Sequence, residues 1–111
     1  MADSQPLVPG SNPYGVTTAA VLAAVEHVLG LCAQSQEKEP DSAVAYAIRG
    51  LYAVREAVAY AWPLSAEVKG QTNLGAFAAK NLYDWNKDVA GALMTLDYVL
   101  KNDGLFIERL G

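Results

Sequence analysis

Few side chains in this sequence are of the types that carry out chemistry, and their spacing serves it poorly. His27 is the only histidine and Cys32 the only cysteine. On a helix His27 neighbours Ala23 and Gly30, neither a metal-ligand type, and Glu26 points about 100° away from it round the axis. Cys32 is badly placed to be a nucleophile with His27 as its base. It falls on an apolar stripe, where a thiol behaves as a small hydrophobe. Asp84, Asp88 and Asp97 share one helical segment, with Asp84 and Asp88 a turn apart. Lys80 and Lys87 stand close enough to favour i,i+4 ion pairing over cation binding. Glu37, Glu39 and Asp41 flank a turn and read as solvated charge. There is no glycine-rich phosphate loop, no nucleophile elbow and no HExxH-type pair. The sequence therefore assigns no catalytic, cofactor-binding or metal-ligating residue, and predicts a protein that is not an enzyme.

One constellation is suited to recognition. Tyr46, Arg49, Ala53, Glu56 and Tyr60 recur at steps of three and four, so on a helix they form one stripe, with Gly50 and Ala57 beside it. The order is pseudo-symmetric about Ala53: tyrosine, arginine, small residue, glutamate, tyrosine. Two copies crossing antiparallel at Ala53 set Arg49 of each against Glu56 of the other, and Tyr46 against Tyr60. A two-fold contact needs such self-complementarity, because one patch serves both chains. Tyrosine and arginine are also enriched at interface hot spots. A homodimer through this stripe is the expectation; ordinary surface charges and flanking tyrosines are the alternative.

The elements that position these residues are helical. Residues 1–15 hold Pro6, Pro9, Pro13, Gly10 and Gly15 and predict an extended arm. Residues 16–111 form a single helical domain. The first helix is expected over 17–36, capped by Thr17 or Thr18, with Leu22, Val25, Val28, Leu29 and Cys32 on one face. Pro40 ends it. Asp41 caps a second helix over 41–62, stopped by Pro63, with Val44, Ala47, Ile48, Leu51, Val54, Val58 and Trp62 buried. Residues 63–72 read as a linker in which Ser65 starts a short turn. A third helix is expected over 73–102. Its apolar phase runs from Leu74 through Phe77, Ala78, Leu82, Trp85, Val89, Leu93 and Leu96 to Leu100, and Gly104 is its left-handed stop. A break at Asp84–Lys87 is the alternative. The apolar tail Leu105–Leu110 should dock. No segment alternates with period two, so the fold class is all-α, a small bundle of three long helices.

Composition narrows the function further. With 111 residues, one domain is expected, and its 19 alanines favour close helix packing. Both tryptophans and six tyrosines exceed what so small a core readily absorbs, which assigns some apolar surface to another chain. A net charge of −4 with evenly spread bases opposes nucleic-acid binding. A DNA-binding helical protein is accordingly the weaker alternative, since the second helix offers only Arg49 and Arg55. Val16–Ala33 is the most apolar stretch but is interrupted by Glu26 and His27, and the first residues do not resemble a secretory signal. A cytoplasmic protein without membrane contact is expected.

The chain resembles the small, acidic, all-helical anti-activators of proteobacteria, of the quorum-sensing type. The resemblance lies in the extended start Leu7-Val8-Pro9-Gly10, the alanine-rich helix from Ala19 to Ala33 ending in Leu31-Cys32-Ala33, and the alanine-rich second helix. It covers the first half of the chain and transfers no binding residues. It implies a regulator that binds a LuxR-type transcription factor and occupies its dimerisation surface. A structural or assembly part, of phage or secretion-system type, is the alternative.

Overall fold

A computed structural model describes residues 12–110. The expected arm over 1–15 falls mostly outside these residues. Thr17 caps α1 (Thr18–Lys38), its side chain accepting from the Ala20 amide at 3.1 Å. Asp41 caps α2 (Ser42–Tyr60) by accepting from Ala43 N–H at 2.7 Å. Each cap satisfies an amide that the first helical turn leaves free. The second helix stops at Tyr60, not at residue 62. Pro63 disfavours helical geometry at Trp62, and the Trp62 indole N–H instead donates to the Val16 carbonyl at 2.9 Å. The expected linker contains α3 (Ala66–Gln71), started by Ser65, whose hydroxyl accepts from Val68 N–H.

The third long helix is corrected. Residues 73–102 form two helices, α4 (Leu74–Asn81) and α5 (Lys87–Lys101), joined by a tight turn. The Tyr83 and Leu82 amides both donate to the Ala78 carbonyl, which ends α4. Asn86 then opens α5, its side-chain oxygen accepting from Val89 N–H at 3.3 Å while its amide donates to Ser35 Oγ at 2.8 Å. Trp85, expected in the core, lies 46% exposed in this turn. Its indole donates to the Asn81 carbonyl, closing the turn locally.

Each helix of eight residues or more runs antiparallel to its neighbours. Glu26 of α1 pairs with Arg55 of α2 at 2.6 Å, and Tyr46 of α2 stacks on Phe77 of α4. Gly75 of α4 lies against Asp97 of α5, and the start of α5 meets the end of α1 through Asn86 and Ser35. The four helices thus form a closed cycle around one core. Val21, Val25, Val28 and Cys32 of α1 meet Val44, Leu51 and Val58 of α2 and Leu93, Leu96 and Leu100 of α5 there, all fully buried. α1 is long and apolar enough to cross a membrane, but its buried stripe is spent on this core.

Asp103, at φ +58°, is the left-handed residue that ends α5, one position before the expected Gly104, which follows at φ +98° and donates its amide to the Val99 carbonyl at 2.8 Å. A Cβ on Gly104 would stand 2.6 Å from the Val16 side chain, so only glycine fits this close approach. The tail docks: Ile107–Leu110 forms a 3₁₀ turn and Leu110 is buried.

Candidate functional site

The residues with chemical potential are scattered. His27 is exposed on α1, at the rim of an apolar hollow of about 320 Å³ whose walls include Ala20, Ala23, Ile107 and Leu110. Cys32 is fully buried in the core. Burial pushes its thiol up from 9.0 to about 11, because a thiolate there is stripped of water. Asp84 and Asp88 are exposed, and neither makes an ion pair among the described residues. The turn between α4 and α5 removes the continuous helical spacing on which i,i+4 pairing of these acids with Lys80 and Lys87 depends. Lys87 lies instead over the Tyr83 ring, 5.5 Å from its centre. No group of three or more His, Cys, Asp or Glu converges among the described residues.

Asp97 stands apart from the other two acids. It is buried between α4 and α5, with Oδ2 accepting from Lys101 Nζ at 3.0 Å and Oδ1 without a partner among the described residues. A Cβ on Gly75 would lie 2.9 Å from Oδ2. The carboxylate therefore sits at the first turn of α4, where the helix dipole favours negative charge.

Tyr46, Arg49, Ala53, Glu56 and Tyr60 all lie exposed on one side of α2, turned away from Val44, Leu51 and Val58. Tyr46 stacks on Phe77 with ring centres 4.6 Å apart and remains half exposed. Tyr60 is 92% exposed, the most exposed large apolar side chain among the described residues. Arg49 and Glu56 make no ion pair among the described residues, whereas Arg55, one residue from Glu56, is held by Glu26 and lies over the Tyr52 ring.

Beside this stripe runs a groove. The nineteen residues of α2 span about 28 Å, against about 12 Å for the eight of α4, so α4, which meets α2 around Tyr46–Gly50, leaves much of its length uncovered. The uncovered length faces α3 and the turn after it. Two hollows result, of about 390 and 240 Å³, meeting at Gly50, Asn73 and Leu74. Tyr46, Arg49 and Phe77 wall the first; Ala53, Ala57 and Val68 wall the second. Gly50 lets Leu74 pack close against α2 at the point where the two hollows meet: a Cβ there would stand 3.1 Å from the Leu74 side chain.

Phe77, only partly buried, and Asn73 belong to this surface and escape the sequence reading, whereas Leu74 is buried in the core, as its apolar phase predicts, and forms the groove's floor. Asn73 precedes α4 without making a side-chain cap bond, and at the groove's edge its exposed amide has no hydrogen-bond partner among the described residues. Comparison of the chain with protein-family models, characterised proteins and solved structures finds no match.

Proposed function

We propose that this chain is a non-enzymatic protein-binding module that pairs with a second copy of itself through the outer face of α2. The observation that carries the reading is the state of that face in the single chain. It presents an arginine and a glutamate without ion-pair partners among the described residues, on a stripe ending in a tyrosine that is 92% exposed. An antiparallel crossing at Ala53 gives both charges a partner twice and covers the tyrosines. Ala53, small and exposed at the crossing point, lets the two helix axes approach closely.

Sedimentation equilibrium tests the pairing. Glu56→Arg sets arginines against arginines and should weaken the dimer about ten-fold or more, since like charges across an interface are repulsive. Adding Arg49→Glu should restore it. If neither change alters the measured mass, the pairing is wrong.

The sequence resemblance to anti-activators supplies a class of target, a LuxR-type transcription factor, for which a helical face would stand in as dimer partner. Were that target bound by the same α2 face, target and self would compete and activity would depend on concentration. A pull-down from the source cytosol with the tagged chain tests this. A transcription factor recovered in stoichiometric amount supports it, and recovery of the bait alone, as a defined oligomer, opposes it. Retention on heparin with release by salt would instead favour the DNA-binding alternative.

A further inference from the structure

Tyr60 and the larger hollow in the groove are placed to be two halves of one contact. Tyr60 stands at one end of the α2 stripe, and the hollow of about 390 Å³ opens beside Tyr46 at the other. Ala53 is seven residues from each, about 10 Å along the axis in either direction. A two-fold axis through Ala53 therefore carries Tyr60 of each chain to the Tyr46 end of the other. We propose that Tyr60 of one copy fills the hollow between α2 and α4 of its partner, and that this reciprocal insertion is the anchor of the dimer. The proposal rests on the self-pairing reading above and names the residue and cavity through which it acts.

The walls suit a phenol ring. Tyr46 and Phe77, already stacked at 4.6 Å, offer an aromatic surface, and Leu74 an aliphatic floor. Arg49 borders the same space, so while pairing with Glu56 of the other copy its guanidinium can also edge an incoming Tyr60 ring one turn further along that helix. Asn73 at the edge has a side-chain amide without a partner among the described residues, the type of group a tyrosine hydroxyl needs when the rest of its ring is buried. Aromatic side chains bury roughly 150–250 Å² each, so two such insertions contribute a substantial share of a small two-fold interface.

Dimer dissociation constants of the full chain, measured by sedimentation equilibrium with helical content checked by circular dichroism, test the insertion. Tyr60→Ala and Phe77→Ala should each raise the constant about ten-fold, as expected for an anchor residue and its pocket. The double variant should be little worse than either single one, because both remove the same contact. Tyr60→Phe should cost only a few-fold, and combining it with Asn73→Ala should add nothing. Additive losses in the Tyr60–Phe77 pair overturn the insertion. So does a Tyr60→Ala constant within two-fold of the wild type, and if Glu56→Arg still weakens the dimer the self-pairing reading survives that result. A wild-type chain that is monomeric at all concentrations removes both. Should Phe77→Ala lose helical content, the Tyr60–Asn73 pair decides, since Asn73 is exposed and its replacement leaves the core intact.

Discussion

Cys32 faces the core from α1 and is enclosed by apolar side chains, so its thiol ionises only near pH 11 in the folded chain, against an ordinary value of 9.0. The raised value has a definite consequence for stability. Below about pH 9 the thiol is protonated in both folded and unfolded chains and contributes no pH dependence. Between about pH 9 and 11 the unfolded chain releases the proton and the folded one keeps it, so stability falls as pH rises. The expected loss is roughly 2 kcal/mol across that window, and Cys32→Ala should remove this contribution to the slope. Urea denaturation of both chains from pH 8 to 11 measures it. Maleimide labelling at neutral pH should be slow in the folded chain and fast in denaturant, because the reactive thiolate is scarce and the sulfur is covered.

The fold-back of α4 onto α5 depends on a contact between elements. Gly75, in the first turn of α4, accommodates the Asp97 carboxylate of α5, and a Cβ there would meet Oδ2 at 2.9 Å and Asp97 Cβ at 3.2 Å. Asp97 cannot withdraw freely, because it is buried and bonded to Lys101. In an unbroken helix over residues 73–102, Gly75→Ala would stabilise by up to about 1 kcal/mol through better helix propensity. In the hairpin it should destabilise by about 1–2 kcal/mol, through overpacking against a held side chain. Thermal unfolding of Gly75→Ala reads the sign, and Asp97→Ala in the same chain should lessen the loss.

At the scale of the molecule, the candidate surface follows from unequal helix lengths. α4 is too short to cover α2, and α3 and its connecting turn close the remaining side only partly, leaving the groove beside the charged and aromatic stripe. The charges on that stripe are exposed in the single chain, so their attraction across a dimer interface is subject to screening. Raising the ionic strength from about 0.05 M to about 0.5 M should weaken the wild-type dimer several-fold, while the apolar share of the contact, centred on Tyr60, persists. In the Glu56→Arg chain the same salt should strengthen pairing, since it screens a repulsion. Sedimentation equilibrium at the two salt concentrations distinguishes these directions.

Local chemistry made the helix starts legible. Thr17, Asp41 and Ser65 cap where their side chains meet free amides nearby, and Gly104 turns where a positive φ is required. The buried stripes of α1 and α2 were legible from period, except that Val21 takes the place expected of Leu22 and that Ile48 and Trp62 are only partly buried. The α2 stripe from Tyr46 to Tyr60 was legible too, because neighbours on one helix face are set by residue spacing. The break in the third helix was legible only as an alternative, at Asp84–Lys87. Leu82 and Val89 stand two turns apart in an unbroken helix and both face the core in the broken one, so the apolar phase is the same in either structure. What decides between them is the Asn86 bond to Ser35, from a helix fifty-one positions away, and the fit of Asp97 against Gly75. The groove likewise escapes the sequence, since Asn73, Leu74 and Phe77 reach the α2 stripe only once α4 has folded back. Spacing along one chain determines helices and their faces; which faces remain uncovered is decided by contacts between residues distant in sequence, and only the tertiary structure contains those.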